Sequence, residues 1–249
     1  MILKMTRPRP LMAALLATLP LLVAACSGGD DNPGFITIPT QPANNAPTAS
    51  SSAPPAATAT VSPETMLRGF SWPIAGGCLP KGDQLMPNAP RTYRNGTHEG
   101  VDFYAVDNCT NISRGTPVLA AKAGTVIRAD LAYVNPTSAQ MQAYLADPNS
   151  DASFDAFRGR QVWVKLDDGG VYVNRYCHLD SIATGIQVGT RVSVGQVIAY
   201  VGESGTPESI SNPGSEYHLH FEMRVGNSYL GAGLPAAEVR RLYNNLFSP

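Results

Sequence analysis

Tyr217-His218-Leu219-His220-Phe221-Glu222-Met223 is the stretch on which the reading of this chain turns. Side chains on a β-strand alternate, so Leu219, Phe221 and Met223 would form an apolar face and His218, His220 and Glu222 the opposite one. Two imidazoles at i and i+2 have Cα atoms roughly 6–7 Å apart. Both can approach one ion, or one can hold it while the other works beside it. Alternation alone does not say which of the two would take a metal. Glu222 shares their face, where it either orients an imidazole as an outer acceptor or stands as an ordinary exposed glutamate.

The other two of the chain's four histidines also sit in β-like surroundings. In Thr97-His98-Glu99-Gly100-Val101-Asp102-Phe103, His98 and Asp102 would share a strand face but lie roughly 13 Å apart if the strand were regular. Gly100 between them admits a bulge or bend that draws them together. In Tyr176-Cys177-His178-Leu179, the histidine falls at a strand end. The runs "GTPVLAAKAGTVIRAD" (115–130), "GRQVWVKLDDGGVYVNRYCHL" (159–179) and "GTRVSVGQVIAYVG" (189–202) mix β-branched and aromatic residues between glycines, as strands do. Asp167-Asp168-Gly169-Gly170 is a hairpin turn signal. One helix is predicted near Thr137–Ala146, where Met141, Tyr144 and Leu145 are spaced i, i+3, i+4 and Pro148 follows. Another starts at Pro235 and aligns Val239, Leu242, Leu246 and Phe247. The reading is a mainly-β single domain with a small helical insertion and a C-terminal helix.

Taken in order, H-x-x-x-D, Y-x-H-L and H-L-H-F-E resemble the LytM/lysostaphin-type zinc metallo-endopeptidases over residues 96–225. The resemblance implies antiparallel sheets with an open groove, a duplicated hybrid motif, and a Zn²⁺ cofactor. It assigns His98, Asp102 and His220 as metal ligands. His178 and His218 become the non-ligand catalytic histidines that act on the water and the transition state. Two imidazoles and a carboxylate leave zinc a position open to water, as a catalytic site requires. The implied activity is hydrolysis of peptide cross-links in bacterial peptidoglycan. Two segments depart from the compact pattern, residues 131–158 and 203–217, and each can wall or shield a groove. The main alternative is a LytM-like cell-wall binding or hydrolase-activator module without catalysis. The same ligand types also suit non-haem Fe(II) oxygenases, though the extra paired histidine and the leader described next speak against them.

At the N-terminus, Lys4, Arg7 and Arg9 precede an apolar run from Leu11 to Ala25 that is short and interrupted by Pro20. This is the pattern of a secretory signal (residues 1–25). "LVAAC" resembles the lipobox of bacterial lipoproteins, which makes Cys26 the lipidation site and the membrane a partner through its acyl chains. Residues 26–65 are rich in Pro, Ala, Ser and Thr and too poor in large apolar residues to fold, so they read as a tether. The folded domain is assigned to 66–249. An exported, membrane-anchored lipoprotein facing the cell wall is expected, in the periplasm at the outer membrane if the host has two membranes. Export favours a disulfide between Cys78 and Cys109, both flanked by loop sequence. Cys177 is left over and is predicted to point away from His178 into the core. The 249 residues carry a net charge of −1, and no basic cluster lies beyond the leader. Nucleic acid is thereby excluded as a partner, and a monomer is expected.

Overall fold

The computed structural model describes residues 67–168 and 171–249, all within one compact unit. The expected signal peptide, lipidation site Cys26 and tether, and Gly169-Gly170 of the predicted hairpin turn, lie outside the described residues. Among the described residues twelve strands follow the glycine punctuation. They are β1 Pro90–Arg91, β2 Gly96–Thr97, β3 Val101–Phe103, β4 Pro117–Leu119, β5 Gly124–Ala129 and β6 Val162–Leu166, then β7 Tyr172–Cys177, β8 Leu179–Ile182, β9 Arg191–Val192, β10 Val197–Val201, β11 Leu219–Val225 and β12 Ser228–Tyr229. Among the described residues four α-helices accompany them: α1 Ser138–Ala146, α2 Asp151–Arg158, the single turn α3 Glu208–Ser211, and α4 Ala236–Leu246.

Every pairing is antiparallel. The main sheet runs β12-β11-β7-β6-β5-β9, with β3 also paired to β11; a second sheet runs β4-β10-β8, and β1 and β2 form a ribbon. Strand β11 is the spine. Leu219, Phe221 and Met223 are fully buried on its core side, where the Phe221 ring lies 5.4 Å from that of Tyr176. Burying each such side chain stabilises the fold by about 1.5–3 kcal/mol. Helix α4 closes the core with Val239, Tyr243 and Leu246. Trp72 stacks on Phe247 at 4.1 Å, and Phe70 N–H donates to Leu246 O, so the start of the domain is fastened to its end.

The helical insertion is larger than the spacing predicts. Helix α1 begins where expected, with Thr137 and Gln140 forming a reciprocal capping box. Helix α2 follows after Ser150, whose side chain accepts from Ser153 N–H. Its sequence, DASFDAFR, carries two phenylalanines i, i+3 but has no long apolar stripe, so periodicity did not mark it. Cys78 and Cys109 are bonded to each other, with Cα atoms 5.5 Å apart. Cys177 is free and fully buried, as predicted, though outside the main apolar cluster. Tyr176 fills the core side of β7, and alternation then turns Cys177 to the opposite face, beneath His220 and near Gln161. It is buried there among polar groups. Among the described residues no helix is long and apolar enough to cross a membrane.

Candidate metal centre

The pairing of β3 with β11 sets Asp102 directly opposite His220. His98 is delivered by the bend that precedes β3. Its backbone is held at both ends, His98 N–H donating to Ala89 O and Asn88 N–H donating to His98 O. Gly100 makes the bend possible for a reason other than backbone freedom: a Cβ there would collide with the Phe221 backbone and the His220 ring. The loop passes that close to β11, and the predicted 13 Å separation closes to 3.0 Å between His98 Nε2 and Asp102 Oδ1.

Three donor atoms converge. His98 Nε2 lies 2.9 Å from His220 Nδ1, and His220 Nδ1 lies 2.8 Å from Asp102 Oδ1. All three residues are buried. Their outer atoms fix the proton positions. His98 Nδ1 faces Met86 O at 3.0 Å and must donate, leaving a lone pair on Nε2. His220 Nε2 faces Glu222 Oε1 at 3.1 Å and donates to it, turning Nδ1 inward. Arg91 Nη2 takes the other Asp102 oxygen at 2.9 Å. The centre is thus ringed by electron pairs with a single carboxylate charge, a donor set that suits a cation. Burial lowers the His220 pKa, but hydrogen bonds to Asp102 and Glu222 outweigh burial and raise it. Burial would raise Asp102, yet His98 and His220 hold it well below the usual carboxylate range. His98 is pushed down to about 4, by burial above all and against the pull of Asp102.

The donor set fits zinc. Donors at 2.0–2.1 Å on a tetrahedral ion stand roughly 3.3 Å apart, so the observed triangle needs to open by only about 0.4 Å. A second group, Cys177, His220 and Glu222, also brings three donor atoms together. It does not suit a cation. Glu222, fully buried, is already bonded to Arg158, Arg175 and Arg224 at 2.6, 3.3 and 3.2 Å. Burial also pushes the Cys177 thiol pKa well up, so it stays protonated. The reading of Glu222 as an exposed glutamate is overturned, because a carboxylate facing three guanidinium groups is desolvated only when so compensated.

His218 and His178 stand beside the triangle. His218 pairs with Gly202 just ahead of β11, and its Nε2 lies 3.8 Å from Asp102 Oδ1. Its Nδ1 donates to Glu216 O at 2.7 Å, and its ring stacks on Tyr104 at 4.2 Å. His178 adopts a left-handed φ of 59°, which breaks the strand and swings its ring to within 4.5 Å of His218. Its Nδ1 donates to Ser204 O at 2.9 Å. Each therefore presents a bare Nε2. Burial lowers both pKa values, His178 well below the usual imidazole range. All five predicted site residues thus meet in one place.

The centre opens into a groove of about 520 Å³. Phe154, Phe157 and Arg158 of the insertion wall one side, and Pro207, Glu208 and Glu216 of the 203–217 segment wall another. Among the described residues no fourth His, Cys, Asp or Glu joins the triangle. Arg91, Tyr104 and Ser204 support the site and were not singled out from sequence. Arg91 ends strand β1 and the other two lie outside strands and helices; only the tertiary structure brings them together, and no motif announces them.

The family description "Peptidase family M23" matches residues 96–231. No curated protein matches. Among solved structures, a zinc-containing peptidase from Vibrio cholerae is 24% identical at a TM-score of 0.41, over 68% of this chain and 41% of that one. The catalytic domain of the antimicrobial peptidase lysostaphin from Staphylococcus simulans is 25% identical at a TM-score of 0.37, over 61% of this chain and 85% of that one. This chain therefore corresponds to less than half the length of the Vibrio protein.

Proposed function

The chain belongs to peptidase family M23, and from that premise we propose that it is a zinc endopeptidase hydrolysing the peptide cross-links of bacterial peptidoglycan. His98, Asp102 and His220 would hold Zn²⁺. When bound, the ion supplies water acidified toward neutral pH and a polarised scissile carbonyl. The observation that carries the reading is the ring of electron pairs, from two imidazoles and one carboxylate, facing a groove.

The remaining chemistry belongs to the protein. His218 and His178 are neutral at pH 7, because burial lowers both, and each has its Nδ1 proton tied to a carbonyl. Their Nε2 atoms are consequently proton acceptors. The ring that takes the water's proton becomes an imidazolium and can return that proton to the leaving amine. Its neighbour, 4.5 Å away between centroids, faces the same reacting atoms. Glu222 holds the His220 tautomer, and Arg91 restricts Asp102 to one inward oxygen. The Cys26 acyl anchor and the tether would keep this domain at a membrane beside the wall polymer, with the protein acting as a monomer.

Purified peptidoglycan incubated with zinc-loaded protein should release new amino termini. A chelator should stop this, added zinc should restore it, and His220→Ala should not be restored. Wall binding without new termini, in fully zinc-loaded protein, would favour the non-catalytic module instead.

A further inference from the structure

The three arginines that line the groove, Arg91, Arg94 and Arg158, are not alike in their partners. Asp102 is paired with Arg91, Glu99 with Arg158 and Arg224, and Glu222 with Arg158, Arg175 and Arg224. Arg94 has no carboxylate partner among the described residues, although it is only 7% exposed and lines the same groove as His98 and Asp102. One of its amino groups, Nη2, donates to Thr97 O, while Nε has no hydrogen-bond partner. Its guanidinium lies 4.1 Å from the Phe154 ring centroid, and Arg158 stacks on the same ring at 4.4 Å.

A buried guanidinium without a counter-charge is costly, and an aromatic face replaces only part of its lost hydration. Burial pushes its pKa down. Arg158 and Arg91 add to that, against the opposing pull of Tyr93 and Glu99. Stacking on Phe154 also fixes the plane of the fork, which suits bidentate capture of a planar anion. Arg94 follows Arg91 by one short turn, Thr92–Arg94, so an anion bound there lies in the groove that leads to the metal ligands.

We infer that Arg94, stacked on Phe154 in the groove wall, is a specificity residue that receives a free carboxylate of the substrate. The peptide cut here therefore carries a carboxylate near the scissile bond, on a side chain or a terminus. This rests on the peptidase reading above and narrows its substrate class. Cross-links flanked only by neutral residues would be poor substrates.

The test uses one branched synthetic peptide of the cross-linked stem type, prepared as the free acid and as the carboxamide. Hydrolysis and equilibrium binding of both forms are measured with zinc-loaded wild type, Arg94→Gln and Arg94→Lys. Wild type should favour the acid by about tenfold or more in kcat/KM, as a charge-assisted bond predicts. Arg94→Gln should bring the acid-to-amide ratio near one, and Arg94→Lys should restore part of it. Zinc content and melting temperature of the variants show whether they fold. Equal wild-type use of both forms, or a preference that survives in Arg94→Gln, overturns the inference. If neither form is hydrolysed, the peptidase reading fails, and the acid-to-amide ratio of binding constants still decides the role of Arg94.

Discussion

At the scale of single residues, five polar side chains fall into two jobs by the direction of their protons. His98 and His220 have their outer nitrogens committed to Met86 O and Glu222, which turns lone pairs inward. His218 and His178 commit Nδ1 to carbonyls and offer Nε2 to the groove. The two groups should separate on mutation. His98→Ala should lose stoichiometric zinc and activity together. His178→Ala and His218→Ala should keep about one zinc per chain and lose activity by roughly 10²–10⁴-fold, the usual contribution of a positioned acid or base. Zinc analysis beside a peptide hydrolysis assay distinguishes the outcomes, and loss of zinc from His178→Ala would contradict the division.

At the scale of elements, the site is a consequence of register. β3 sets Asp102 opposite His220, and the bend at Gly100 returns His98 to both. Gly100→Ala places a methyl group against the Phe221 backbone, where rigid atoms cannot yield. The variant should separate β3 from β11 and lower zinc affinity by at least tenfold, measured by competition with a chromophoric chelator; unaltered affinity would show that the bend is not what assembles the ligands. Much of this geometry was legible in sequence. Alternation in Tyr217–Met223 sorted Leu219, Phe221 and Met223 from His218, His220 and Glu222, and Gly100 marked the bend. Two things were not legible. The left-handed turn at His178 is carried by a non-glycine residue, for which no local signal exists. The partners of Glu222 are Arg158, Arg175 and Arg224, gathered from three separate elements by the fold. Helix α2 was missed because its two phenylalanines line a groove, Phe154 under two guanidinium groups and Phe157 edge-on to Tyr93, instead of forming a long apolar stripe.

At the scale of the whole molecule, burial of the site couples stability to pH. In the metal-free protein His98, His178 and His218 have pKa values below their unfolded value of about 6.5. The unfolded chain then binds more protons as pH falls, so these groups remove stability from about pH 6.5 downward, each by up to about 1.4 kcal/mol per unit. His220, whose pKa is raised, works in the opposite sense: its contribution is present below the unfolded pKa and fades as pH rises. Three groups against one give a net acid loss. Asp102 and Glu222, both held low by their partners, extend it below about pH 4. Urea unfolding of chelator-treated protein should show stability falling from about pH 6.5 to 4, and a flat profile over that window would refute it. The Cys78–Cys109 bond spans 31 residues, and its reduction should cost roughly 3–4 kcal/mol by chain entropy. Denaturant midpoints with and without reductant measure this directly.

The most direct test of the central claim is zinc K-edge X-ray absorption on the purified, zinc-loaded protein. The expected result is one zinc per chain bound only by nitrogen and oxygen at about 2.0–2.2 Å, with the multiple-scattering signature of two imidazoles. A sulfur scatterer at about 2.3 Å would contradict it, placing the ion against Cys177 on the far side of His220.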